Sequence, residues 1–212
     1  MIQILSGLVG IIVNGNNKIL LTGARGYLGG ALHRYLESYN TVITFYDDVR
    51  YAKPVDCDQV DMVIHMASPI DNTDIKKTAS TIIEGTVNML DFAKQHNAVF
   101  VFASTMGVYD NNLNDVYANC KLAMENYIKS VYNKYVVLRI PRVYSKCREK
   151  GLVRLLKDGD VPDCDMHKII EFLTLDEFIS QSVTAISNIN TVYEYKNTLR
   201  KSIHNIKKCL EI

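Results

Sequence analysis

The chain has 212 residues, 48% apolar and 22% charged. That composition supports one domain, or one domain with a small appendage, around a real hydrophobic core. The formal net charge is +1 and no basic stripe runs through the chain, which argues against nucleic acid as the main partner. The cysteines, Cys57, Cys120, Cys147, Cys164 and Cys209, are scattered, with no C-x-x-C pair and no zinc spacing. They read as reduced thiols of a cytoplasmic protein.

Residues 2–13 are mostly apolar but shorter than the roughly 20 residues of a membrane-spanning helix, and no Lys or Arg precedes them, so neither a membrane span nor a signal peptide is expected. Asn14-Gly15-Asn16-Asn17 is a turn signal, and residues 1–17 read as an extra strand or a packed arm. From Lys18 onward strand and helix patterns alternate. Lys18–Thr22 reads as a strand, 27–38 as a helix, and Thr41–Tyr46 and Asp61–Met66 as strands. Then come a long helix over 79–95, a strand at Ala98–Ala103, a helix over 117–132 and a strand at Tyr135–Ile140. Smaller pieces follow: Gly151–Leu156 helical, Lys168–Leu173 extended, Leu175–Ile186 helical, Thr191–Tyr195 extended and Leu199–Leu210 helical. One continuous apolar run per strand, alternating with amphipathic helices, predicts an α/β fold with a Rossmann-type doubly wound parallel sheet. Such sheets bind ligands beyond the carboxyl ends of their strands.

The first strand runs into Thr22-Gly23-Ala24-Arg25-Gly26-Tyr27-Leu28-Gly29. In a strand–turn–helix context, Gly23 permits a tight turn, Gly26 lets the backbone approach a pyrophosphate, and Gly29 lets helix and strand pack closely. The helix N-terminus then offers free N–H groups to phosphate. Gly23, Arg25, Gly26, Tyr27, Leu28 and Gly29 are therefore expected to cradle a dinucleotide. Asp47 and Asp48 end the second strand, Asp47 lying 24 residues after Gly23, where an acid reads the ribose hydroxyls and favours NAD over NADP. Arg50 leaves NADP open, since an arginine pairs with a 2′-phosphate.

Three further segments carry chemistry: Val63-Ile64-His65-Met66-Ala67-Ser68-Pro69, Phe102-Ala103-Ser104-Thr105-Met106-Gly107-Val108-Tyr109, and Tyr117-Ala118-Asn119-Cys120-Lys121. Tyr117 and Lys121, four apart on a helix, face the same way. His65, inside a buried strand, reads as a core residue, and the histidines show no metal-ligand spacing. Together with the glycine loop, these segments resemble the extended short-chain dehydrogenase/reductase family, in particular its sugar-nucleotide epimerase, dehydratase and reductase branch. The likeness extends to Leu138-Arg139-Ile140-Pro141-Arg142-Val143-Tyr144 and to Glu171-Phe172-Leu173-Thr174-Leu175-Asp176-Glu177.

The resemblance implies an NAD(P)-dependent oxidoreductase or epimerase that acts on a nucleoside diphosphate sugar. Tyr117 would be the general acid/base. Lys121 would lower the phenol's pKa and hold the ribose, and Thr105 would bond the reacting oxygen with Ser104 as its substitute. Met66, Ala67, Ser68, Pro141 and Val143 would flank the cofactor. It also implies a homodimer packed through the two long helices, a core over 18–145, and a reduced substrate-binding part over 146–212 interleaved with the last core elements. The chain departs from the family in three places. Thirteen residues separate Asp47 from Asp61, and eleven separate Thr105 from Tyr117, about half the family's span. Where relatives place a pyrophosphate-binding arginine, only Lys168 stands. The residues leave two alternatives: a cofactor-binding regulatory or scaffolding protein with little catalysis, and a reductase of a small carbonyl compound.

Overall fold

The computed structural model describes residues 16–51, 59–69 and 74–211. The apolar run at 2–13 and Cys57 lie outside them. Six parallel strands form the main sheet: β1 (Lys18–Thr22), β2 (Thr41–Phe45), β3 (Met62–His65), β4 (Val99–Thr105), β5 (Tyr135–Ile140) and β8 (Thr191–Glu194). Their order is β2-β1-β3-β4-β5-β8. The chain steps from β1 to β2 on one side and then crosses to β3 on the other, which makes the gap between β1 and β3 the switch point where such sheets open a crevice.

The apolar runs are buried on both faces because alternate side chains enter different cores. Ile19, Leu21, Ile64, Val101 and Leu138 pack with Leu32 and Leu36 of α1 (Tyr27–Leu36) and with Phe178 and Ile186 of α5 (Leu175–Ile186). Leu20, Val63, Phe100, Phe102 and Val137 pack on the opposite face. There they meet Ile82, Met89 and Phe92 of α2 (Ile75–Gln95) and Met124 and Ile128 of α3 (Val116–Val131). This is the doubly wound α/β architecture expected from the alternation of patterns.

A second, three-stranded sheet runs in the order β6-β7-β9. It comprises β6 (Val143–Tyr144), β7 (Ile169–Thr174) and β9 (Leu199–Ser202). With α4 (Gly151–Asp158) and α6 (Ile203–Cys209) it encloses a small core of Tyr144, Val153, Leu156, Phe172, Ile203 and Ile206. The helix expected over 199–210 is therefore corrected. Leu199–Ser202 pairs antiparallel with β7, and Ser202 caps α6 by accepting from Asn205 N. A four-residue segment has no helical preference strong enough to resist a ready strand partner. Among the described residues no helix is long and apolar enough to cross a membrane.

Candidate active site

The glycine loop sits at the switch point. Gly23 has φ +75°, and a Cβ there would stand 2.7 Å from Ala67 N and Met66 C, so β3's exit leaves no room for a side chain. A Cβ on Gly29 would stand 2.2 Å from Gly23 O, so α1 can lie this close to the loop only with glycine. Gly26 differs: among the described residues, the one atom near a Cβ there would be Gly23 O at 3.1 Å. Among those residues the space in front of Gly26 is open, and α1 starts there with no side-chain cap and no acid in its first turn. Unpaired N–H groups at an uncapped helix start suit a pyrophosphate. The residues present therefore fit the dinucleotide. Leu28 packs against the core behind the loop.

At the end of β2, Asp47 is exposed and Asp48 is committed to Arg50. Arg50 Nε and Nη2 donate to the Asp48 carboxylate at 2.9 and 2.6 Å, which holds that carboxyl down to about 2. The arginine weighed as a 2′-phosphate ligand is thus already occupied. Arg25 instead stands over the Tyr46 ring, 4.3 Å from its centroid, between the glycine loop and Asp47. The turn after β2 is anchored on α2: Asn88 Nδ2 donates to Val49 O and Arg50 O at 3.0 and 2.6 Å.

Thr22 ties the crevice together. Its Oγ1 accepts from Ala67 N at 3.1 Å and lies 2.8 Å from His65 Nδ1. The other ring nitrogen, Nε2, has no partner among the described residues. Burial, helped by the Lys121 charge, pushes the His65 pKa down to about 3. It is a neutral core residue, not an acid or base. Met66, Ala67 and Ser68 follow β3 as partly exposed residues at the crevice. Ser68 stands beside the Tyr117 phenol and eases its ionisation, while its own Oγ is buried without a well-formed hydrogen bond.

The ends of β4 and the start of α3 bring the remaining candidates together. Thr105 Oγ1 accepts from Gly107 N at 3.1 Å, which leaves the hydroxyl proton available for an incoming oxygen. Ser104 is buried and its Oγ donates to Glu125 Oε1 at 2.5 Å, so it has no proton to offer a substrate. Asp115 caps α3 by accepting from Ala118 N and sets Tyr117 in the first turn. Lys121, one turn on, is buried, with Nζ donating to Ala103 O at 2.6 Å and lying over the Phe102 ring. Desolvation pulls its pKa down to about 7. Tyr117 does not show the lowered pKa expected from Lys121: burial dominates and pushes the phenol up to about 12, with Asp115 adding to the rise.

Beyond β5, Pro141 is partly exposed and Val143 is buried in β6. Tyr27, the first residue of α1, donates its hydroxyl to Ser145 Oγ at 2.9 Å under the Arg148 guanidinium. Lys168 is exposed and paired with Asp165 at 2.6 Å. Glu125 lies outside every motif segment, and Thr22, Tyr109 and Arg139 stand inside such segments without a role assigned to them. Glu125 had a signal, because it lies four residues after Lys121 and eight after Tyr117, hence on the same helix face.

The fold has solved relatives. The ADP-L-glycero-D-manno-heptose-6-epimerase of Helicobacter pylori is 21% identical with a TM-score of 0.76, covering 92% of this chain and 82% of that one. The dTDP-4-dehydrorhamnose reductase of Bacillus anthracis, in complex with NADP, is 18% identical with a TM-score of 0.76, covering 92% and 80%. The UDP-glucuronic acid 4-epimerase of Bacillus cereus, in complex with NAD, is 22% identical with a TM-score of 0.71, covering 92% and 81%. No curated protein matches the chain. Residues 19–156, the span from β1 through most of α4 that carries the glycine loop, Thr105, Tyr117 and Lys121, match the model of the NAD dependent epimerase/dehydratase family, and the chain belongs to that family.

Proposed function

We propose that the protein is an NAD(P)-dependent epimerase or reductase of a nucleoside diphosphate sugar, with Tyr117 as its acid/base. One observation carries this reading. An uncapped helix start at Gly26 follows β1, and at the end of β4 in the same parallel sheet stand Thr105 and the Ala103 carbonyl that holds Lys121, whose Nζ lies 5.7 Å from the Tyr117 ring centroid. The cofactor, once bound, supplies or accepts a hydride. The protein's part is to hold the reacting oxygen and move its proton. Thr105 donates its free hydroxyl proton to that oxygen as a hydrogen bond. Tyr117, whose raised pKa keeps it protonated near neutral pH, gives its proton to a carbonyl oxygen being reduced. Lys121 stabilises the phenolate left behind through its charge. The solved relatives named above act, by their names, on ADP-, dTDP- and UDP-linked sugars, which supports a nucleotide-linked substrate. Either NAD or NADP suits a site where Asp47 follows β2 and Arg25 stands over the ring of the preceding Tyr46.

The test is turnover. The protein is incubated with NAD(H) or NADP(H) and a panel of ADP-, UDP-, GDP- and dTDP-hexoses and their 4-keto forms. An epimer or a reduced sugar nucleotide, lost in Tyr117→Phe, is expected. Tight NAD binding with no turnover of any sugar nucleotide would favour the regulatory or scaffolding reading. We also propose a homodimer. Ala79, Ile83 and Val87 on α2, and Ala123, Tyr127 and Val131 on α3, make stripes at four-residue spacing, and Ile83, Tyr127 and Val131 are 41, 37 and 40% exposed.

A further inference from the structure

Below the Tyr117–Lys121 pair lies a buried carboxylate that the reaction scheme does not use. Glu125 has no exposure to solvent. It lies on α3 one turn beyond Lys121, and it is held from two strands. From β4, Ser104 Oγ donates to Oε1 at 2.5 Å. From β5, Arg139 Nε donates to Oε1 and Oε2 at 3.1 and 3.2 Å, and Nη2 to Oε2 at 2.7 Å. Arg139 in turn reaches Glu194 Oε1 of β8 at 3.2 Å and the Tyr109 hydroxyl. Tyr109 closes the row by donating to Glu194.

Two features make this more than a buried ion pair. Consecutive residues of β4 are tied to residues one turn apart on α3: Ala103 O to Lys121 Nζ, and Ser104 Oγ to Glu125. The clamp therefore fixes where α3 sits along the end of β4, and with it Lys121 Nζ, which lies 5.7 Å from the Tyr117 ring centroid. The charges also alternate in space, Lys121, Glu125, Arg139, Glu194, from the cluster outward. We propose that Glu125, clamped by Arg139, is a positioning residue of the Tyr117–Lys121 pair: it locks α3 to β4 and favours the charged form of the Lys121 side chain.

This inference rests on the proposed function, because it takes Lys121 to be the cation that holds the cofactor ribose. The charge argument has a definite sign. Burial disfavours the Lys121 ammonium, while Cys120 and then Glu125 favour it. Of these two, Glu125 is the one tied to the strands, through Ser104 and Arg139. The Cys120 thiol is pushed up by burial and pulled down by Lys121, and His65 of β3 is held neutral by burial. Tyr117 keeps its proton to about 12. Phe102, Ala103 and Ser104 of β4 do not titrate, and among the described residues no charge on α2 acts on Lys121.

The experiment measures NADH affinity by fluorescence titration between pH 6 and 9, in folded wild type, Glu125→Gln, Glu125→Asp and Lys121→Met. Wild-type affinity is expected to fall as Lys121 loses its proton. Glu125→Gln keeps the shape and removes the charge, so its midpoint should move to lower pH. Glu125→Asp keeps the charge and should hold the wild-type midpoint even where affinity drops. A Gln midpoint equal to wild type, or Asp and Gln midpoints equally displaced, overturns the proposal. Lys121→Met separates the two ideas: a wild-type pH profile in that variant would sink the Tyr–Lys reading itself. Should the Gln variant fail to fold, Glu125→Asp decides, because a midpoint displaced from wild type in a variant that keeps the charge contradicts the assignment.

Discussion

The three glycines of one loop do two different jobs, and that difference makes the site testable at single residues. Gly23 and Gly29 serve the fold: one has a positive φ and both have backbone where a side chain would go. Gly26 is proposed to serve the ligand, because among the described residues little stands before it. Gly26→Val should therefore leave the thermal transition nearly unchanged yet weaken NAD(H) by about 100-fold, the worth of roughly two charge-assisted hydrogen bonds. A calorimetric affinity equal to wild type would remove the loop from the cofactor site. At the ribose end, Asp47→Ala is expected to shift preference from NADH toward NADPH, because a 2′-phosphate then no longer meets the carboxylate that follows Tyr46, over whose ring Arg25 stands. An unchanged NADH-to-NADPH ratio would show that Asp47 does not read the ribose. Lys121 carries a prediction for stability. Its pKa falls from the ordinary lysine value to about 7 in the folded chain. The unfolded state then binds more protons above that pH, and stability rises with pH until an unfolded lysine also titrates. The wild-type protein should gain stability over Lys121→Met between pH 7 and 10, read by urea denaturation; a constant difference across that range would contradict the buried, weakly basic lysine. The glycines, Tyr117 and Lys121 were legible in the sequence because each has a fixed spacing within one element. Glu125 and Arg139 were not read, since an acid on α3 and an arginine on β5 become partners only after β5 has paired with β4.

Elements were legible where their periodicity was strong and blurred where caps or distant partners decide. β1, β5 and α5 lie where their apolar patterns put them. α2 begins at Ile75, before the expected start at 79, because the Asp74 side chain accepts from Lys77 N and caps the helix. Its first turn, Ile75-Lys76-Lys77-Thr78, carries no apolar repeat that would betray it. Asp74→Ala should cost about 1 kcal/mol, the usual worth of an N-cap, measured by chemical denaturation; no loss would mean that the cap is dispensable on a helix held by packing. β9 was hidden for the opposite reason. Leu199-Arg200-Lys201-Ser202 has a strand's geometry only because β7 offers it an edge. The same tertiary dependence explains why the small sheet is harder to read than the large one, whose buried strands announce themselves one by one.

At the scale of the whole molecule, shortened connections bound what the site can do. Elimination of water from a sugar needs a base for the proton beside the carbonyl and an acid for the departing hydroxyl. Of the described proton carriers at this site, Tyr117 is engaged in the hydride step as proposed, and the buried Lys121 is turned inward, its Nζ donating to Ala103 O. Met106 and Gly107, which follow Thr105, form a tight turn in which Gly107 N is bonded to Thr105 Oγ1. His65 is buried and neutral. Glu125 is taken by Ser104 and Arg139, and Glu194 by Arg139 and Tyr109. The prediction is that no nucleotide hexose loses water with NAD, while oxidation, reduction or epimerisation through a keto sugar remains within reach. Mass spectrometry of the incubated panel decides: a product lighter by one water, absent with Tyr117→Phe, would mean that a second acid/base acts at this site. The assay should be run on the dimer, whose mass by light scattering is expected at twice 24.0 kDa and which Tyr127→Glu should split by placing a charge in the apolar stripe. A wild-type mass of one chain at micromolar concentration would refute the packing of α2 and α3 against their copies. The elimination test would then be read on the monomer, where the same count of proton carriers applies.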